Sequence, residues 1–230
     1  MASIGKDSAL LAGLVTLLLA QPLLAYGGLA TRILFDGMYA LVLLGVVFII
    51  FGRGRERQWA LVLVLPMFAF NLAYQVLSDR MRLAWALLFN GFAIAFIGFA
   101  VAVILRNIFR KSVIGGGDVL GAISGYLLAG VVWGNLYVVI HAIAPASFAV
   151  QPEIAWQLQE VHLRHALFNF FSFATLTSLG YNDITPVTPF ANTLTWLEVM
   201  FGQFYMAVVV AQLVGMRLAQ AITPGGPESK

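Results

Sequence analysis

Long apolar runs alternate along the chain with short polar connections. A helix that crosses a bilayer needs about 20 apolar residues. Runs near that length occupy Ala9–Tyr26, Ile33–Phe51, Trp59–Leu77, Leu83–Leu105, Val119–Ala144 and Phe190–Met216. A shorter apolar run, Ala166–Leu179, precedes the last of them and is too short to span. Such a length reads as a re-entrant, interfacial or buried segment. The pattern predicts an all-α membrane protein with six transmembrane helices and one short extra helix. The first run is not read as a signal peptide, because Lys6 is offset by Asp7 and no basic leader precedes it. The longest polar connection is Pro145–Arg164. The C-terminal residues 221–230, ending TPGGPESK, have the composition of a disordered tail.

Composition agrees with a membrane class. Of the residues, 61% are hydrophobic and only 10% charged, against about a quarter charged in soluble domains. A soluble core of this length, a coiled coil and a disordered chain are excluded. The chain has no cysteine, which excludes disulfides and thiolate metal sites. The net charge of +3 reads as topology, not as a nucleic-acid surface. With the N-terminus inside, Lys6, Arg53, Arg55, Arg57, Arg106, Arg110, Lys111, Arg217 and Lys230 are cytoplasmic. Arg32, Arg80, Arg82 and Arg164 are outside, so the positive-inside rule is met and both termini are cytoplasmic.

The chemistry concentrates in the string Thr175-Leu-Thr-Ser-Leu-Gly-Tyr-Asn-Asp-Ile-Thr-Pro186. It ends the short apolar segment and precedes the last spanning run. Non-helical backbone at membrane depth is tolerated only where protein buries it or it lines a water-filled path. A short stretch with a central glycine can turn its carbonyl oxygens to one side. Copies around an axis then form carbonyl rings that replace the water shell of a potassium ion.

This string resembles the selectivity filter of the potassium-channel superfamily, whose pattern reads T-x-x-T-V-G-Y-G-D. The resemblance is clear over Val119–Gln220 and looser over the whole chain. It implies an outer helix, pore helix, filter and inner helix within residues 112–220, and a four-helix domain at 1–111 resembling an uncharged voltage-sensor domain. It also implies a homotetramer surrounded by membrane lipid, conducting K+ passively, with no cofactor, no catalysis and no nucleic-acid partner. The filter is expected at Ser178, Leu179, Gly180, Tyr181 and Asn182, with K+ held at Ser178, Leu179, Gly180 and Tyr181. Thr175 and Ser178 match the two motif threonines, and Leu179 replaces the usual Val or Ile. Asp183 matches the acid behind the outer mouth. Asn182 stands where the family has its second Gly, at a position expected to have φ > 0. Asn tolerates such backbone better than other residues with a Cβ. Two alternatives stay open: a non-selective monovalent cation channel, because of Asn182 and Leu179, and a non-conducting scaffold that keeps the channel fold. A secondary transporter is less favoured, since no inverted repeat appears.

The pore helix is expected at Arg164–Thr177, with Phe170, Phe171 and Phe173 as an aromatic cuff or as plain packing. Ala174 stands where some relatives carry a Glu that pairs with the filter Asp. In the last helix, Gly202 lies at the family's hinge spacing, though glycine also serves packing there. Gln203, Met206, Val210 and Val214 are expected to face the cavity and gate. Glu198 is an acid inside a spanning helix and hence a functional candidate; it is expected to support the filter by bonding pore-helix hydroxyls such as Thr175, the alternative being a place near the outer interface in water. Leu83–Leu105 contains no basic residue, so weak or no voltage sensing is expected. Arg106–Ile114 reads as a linker along the membrane surface, Gly115–Gly117 as a soft joint that couples the halves poorly, and Asp118 as an N-cap. Arg32 with Asp36, Asn71, Asn90, Pro22 and Pro66 are read as structural. His141, His162 and His165, with Glu160, are too few for a metal site. The short termini lead to the expectation of no cytosolic ligand domain. Small size and missing cysteine suggest a prokaryotic plasma membrane.

Overall fold

The computed structural model describes residues 2–25, 29–51, 54–74, 79–111, 115–181 and 183–222. Asn182 and the tail from residue 223 lie outside the described residues, as do the side chains of Arg32, Asp36, Asn71 and Pro22. The described chain is all-helical apart from a two-stranded ribbon. It contains α1 (Ala2–Ala25), α2 (Leu29–Ile50), α3 (Arg55–Tyr74), α4 (Asp79–Arg110), α5 (Gly116–Ile143), α6 (Val161–Leu176) and α7 (Pro189–Ile222). Helix is the economical answer for such runs, because each backbone N–H and C=O is satisfied within the segment. Among the described residues three stretches are long and apolar enough to cross a membrane: Ala86–Arg110, Gly116–Ile143 and Pro189–Ala219.

Two local readings change. Arg106–Arg110 does not form a separate linker; it is the last part of α4. Asp118 is not the N-cap of α5 either. Gly115 holds that place, and its N–H donates to Asp118 Oδ2 at 2.9 Å. Asp118 also pairs with Lys111 across this connection.

The two halves of the chain share one core. Leu14 of α1, Val46 and Val47 of α2, Phe96 and Ala100 of α4, Leu128 of α5 and Tyr205 of α7 belong to a single buried cluster. Helix α5 packs against α1, α4, α6 and α7, and α1 also reaches α6. The expectation of poor coupling through a glycine joint therefore looks in the wrong place, because contact between the halves is direct. Two polar pairs reinforce it. Asn169 of α6 donates to Gln21 Oε1 of α1 at 3.1 Å, both buried. His165 of α6 lies 3.0 Å from Asn90 Oδ1 of α4. Interhelical polar contacts of this kind are worth about 0.6 kcal/mol on average in membranes. Gln21→Leu is expected to destabilise the folded chain by roughly 1 kcal/mol, measured by unfolding in mixed micelles, with Asn169→Leu adding little further.

The polar connection before α6 is more ordered than its sequence suggests. Turns of 3-10 helix at Pro145–Ser147 and Ala155–Gln159 flank β1 (Phe148–Val150). This strand pairs antiparallel with β2 (Ile184–Pro186), Phe148 opposite Pro186 and Val150 opposite Ile184. Phe148 is buried edge-on against Tyr137, Phe168 and Phe171. The chain that follows the turn after α6 is thus clamped to the chain that leads into α6.

Candidate pore-loop site

Helix α6 ends in a turn that folds back on its own carbonyls. Thr177 N–H donates to Phe173 O at 3.1 Å, and Ser178 N–H to Thr175 O at 2.9 Å. Leu179 N–H and Gly180 N–H both donate to Ala174 O, at 2.7 and 3.4 Å. No peptide bond among the described residues is cis. In a trans peptide the N–H and the preceding C=O point in opposite directions. The carbonyls of Thr177, Ser178 and Leu179 therefore point away from α6. The backbone alternates in hand, with φ of +58° at Ser178 and +71° at Gly180. Asn182 is the next position in that alternation by sequence, and its own conformation lies outside the described residues. The negative end of the α6 dipole points at this turn and favours a cation there. Leu179 and Tyr181 are 61% and 54% exposed. The Tyr181 ring stacks on Phe170 at 5.6 Å.

A buried network stands behind the turn. Glu198 of α7 is fully buried. Tyr137 of α5 donates to its Oε2 at 2.5 Å, and Ser172 Oγ of α6 lies 2.5 Å from its Oε1. Ser172 Oγ is also 2.8 Å from Gly130 O of α5. One carboxyl group thus joins three helices. The expected bond from Glu198 to Thr175 gives way to one from Ser172, a turn earlier on α6. Thr175 is buried, and its carbonyl receives the Ser178 N–H. Tyr126 OH donates to Leu176 O at 3.2 Å and fixes the last turn of α6 from the side of α5. A Cβ on Gly202 would overlap that same Leu176 carbonyl oxygen, so Gly202 sits where α7 crosses the end of α6.

The three phenylalanines divide their work. Phe170 contacts Tyr181, Phe171 lies in the cluster with Tyr137 and Phe148, and Phe173 packs over Gly130. Asp183 is half-buried, and its carbonyl accepts Gln151 N–H at 3.1 Å. Along α7, Glu198, Gly202, Tyr205 and Val209 form the buried stripe, and Gln203, Met206, Val210 and Val214 are exposed on another face. Gln203 Nε2 donates to Ser178 Oγ at 2.9 Å, which brings the expected cavity stripe against the inner end of the expected filter. So much exposed apolar surface on α7 calls for lipid or further protein.

The histidines are occupied in other ways. His165 has Nδ1 at 2.8 Å from Val161 O and Nε2 on Asn90. His141 packs on the Phe168 ring at 5.4 Å. Among the described residues no group of three or more His, Cys, Asp and Glu is placed to hold a metal. Arg106, at the end of α4, pairs with Glu56 of α3.

Sequence reasoning missed Ser172, Tyr137 and Tyr126. A signal for the first two existed: a carboxyl group buried at membrane depth demands polar partners, and hydroxyls on the neighbouring helices are the candidates.

The described elements define an all-helical membrane protein in which a short helix, a carbonyl-presenting turn and a long apolar helix follow one another. A protein-family model described as "Ion channel" matches residues 161–217, from the start of α6 through the turn and most of α7. The match indicates an ion channel and supports the resemblance to the potassium-channel-type pore-loop superfamily. Neither the curated proteins nor the solved structures contain a match to this chain.

Proposed function

We propose that this chain is the subunit of a homotetrameric, potassium-selective channel with six membrane-spanning helices, both termini cytoplasmic, in a prokaryotic plasma membrane. Its permeation path is lined by the backbone carbonyls of Ser178, Leu179, Gly180, Tyr181 and Asn182 and by the Ser178 hydroxyl. Thr175, Asp183 and Glu198 hold this turn from behind. Met206, Val210 and Val214 line the inner vestibule, where valines can gate by dewetting. The observation that carries the reading is the turn after α6: N–H groups of Ser178, Leu179 and Gly180 are bonded back to the pore helix, and φ is positive at alternate residues. Carbonyls facing one way, repeated about a four-fold axis, make the rings that replace a cation's water shell. Intrinsic voltage sensing is weak or absent. Leu83–Leu105 within α4 has no basic residue, and Arg106, which follows it, is paired with Glu56.

The test is the reversal potential of purified protein in a planar bilayer, with potassium on one side and sodium on the other. The expected value lies near the potassium equilibrium potential. A clear current reversing near zero supports the non-selective reading, and Asn182→Gly is then expected to restore selectivity. Gly180→Ala is expected to abolish the current in either case, because φ of +71° strains any residue with a Cβ. Absence of current from wild-type protein, at any voltage, sinks conduction and leaves the scaffold reading.

A further inference from the structure

Gln203 is the first residue of the exposed α7 stripe, and its side chain ends on the filter turn. Its Nε2 donates to Ser178 Oγ at 2.9 Å. The level of α7 at this point is fixed, because the adjacent Gly202 lies against the Leu176 backbone. The contact is therefore set by the packing of two helices, though both side chains in it are exposed. Below Gln203 the same stripe is apolar, with Met206, Val210 and Val214.

A serine hydroxyl has one proton and two lone pairs. On the channel reading above, on which this inference rests, the Ser178 oxygen is a ligand of the innermost cation site. We propose that Gln203 tunes the affinity of that site, weakening its hold on a cation by occupying one lone pair of the Ser178 hydroxyl. The amide hydrogen also brings its partial positive charge beside the oxygen that faces the ion. A cation at the inner end is then released to the vestibule more readily than from a ring of unshared hydroxyls. In a tetramer the effect acts through four equivalent pairs.

Barium is the probe. It is close to potassium in size and doubly charged, so its dwell time reports the field strength of a potassium-sized site. Ba2+ is applied from the cytoplasmic side to protein in a planar bilayer. Wild type is compared with Gln203→Met, which keeps the length and loses the donor, and with Gln203→Glu, which keeps the shape and offers only acceptors. A net hydrogen bond corresponds to roughly a two- to tenfold change in an equilibrium constant. Gln203→Met is expected to lower the Ba2+ dissociation constant by about that factor, and Gln203→Glu by more. In a Ser178→Ala background, Gln203→Met is expected to have no further effect. Calorimetric titration of the detergent-solubilised protein with Ba2+ gives the same comparison for a variant that conducts poorly. An unchanged or raised dissociation constant in Gln203→Met overturns the inference, as does an effect that persists without the Ser178 hydroxyl. Both outcomes leave the channel reading intact. Wild-type protein that passes no cation current overturns the channel reading and this inference with it.

Discussion

Glu198→Ala is expected to destabilise the folded chain by about 3 kcal/mol or more, and Glu198→Gln to cost less than about 1 kcal/mol. The difference follows from what surrounds the carboxyl group. Glu198, Ser172 and Tyr137 are all fully buried. Alanine leaves a cavity at the junction of α5, α6 and α7 and strips the Tyr137 hydroxyl of its carboxyl acceptor. Cavities and orphaned buried donors are each costly where no water can enter. Glutamine refills the space. Its Oε1 accepts from Tyr137, and its Nε2 donates to Ser172, whose single proton then goes to Gly130 O, 2.8 Å away. Every member of the network keeps a partner. Equilibrium unfolding in mixed micelles, followed by tryptophan fluorescence, separates the two variants. If Gln is as damaging as Ala, the site needs a charge and not merely a bridging polar group, and this account of the network is wrong.

Conduction adds a second readout. Ser172 lies on α6, and Ala174, which receives the Leu179 and Gly180 N–H groups, lies two residues further along the same helix. Movement of α6 is therefore felt directly by the turn. Glu198→Ala is expected to lose selectivity or current along with stability, and Glu198→Gln to retain both.

Helices and their order were legible because a membrane imposes one requirement on backbone and side chain alike. A run of apolar residues of spanning length has few alternatives. The turn after α6 was legible as a special backbone segment for a different reason. Ser178-Leu179-Gly180-Tyr181 is a local string whose backbone geometry is bound to its residue types, and the observed φ values at Ser178 and Gly180 fit it. What escaped depends on contacts between distant segments. The strand Phe148–Val150 spans only three residues, too few to show a period. It exists because β2 is brought beside it and Phe148 finds an aromatic pocket. Pairs such as Gln21 with Asn169 leave no trace in local sequence. Their residues read as ordinary polar positions until packing brings them together. Glu198 lies between these cases. The apolar run around it left two places for the acid, buried behind the turn or near the outer interface, and both the choice and the partners depended on which face of α6 meets α7.

Gly202 is where packing and hinge readings predict different results. Helix α7 runs unbroken from Pro189 to Ile222 through this position. A methyl group there would overlap the Leu176 carbonyl oxygen and stand 3.2 Å from Leu176 Cδ1. The obstacle includes backbone, which cannot rotate aside as a side chain can. The Leu176 carbonyl is also held by Tyr126, so α6 is not free to yield. Gly202→Ala is therefore expected to push α7 off the end of α6. That separation lengthens the Gln203 to Ser178 contact and disturbs the network at Glu198, one helical turn away. A cost of about 2 kcal/mol or more is expected, in the range of overpacked cores, together with loss of selective current. Gly202→Val is expected to fail to assemble. The control is Gly215→Ala, at a position where a Cβ meets nothing within 4 Å; there the gain in helix propensity makes the change neutral or slightly stabilising. If Gly202 served only as a hinge, alanine would change the rate of opening and leave unfolding stability and ion selectivity as in wild type. Unfolding in micelles and reversal potentials, measured side by side on the two alanine variants, decide between a swivel in α7 and a contact that holds the turn after α6 in place.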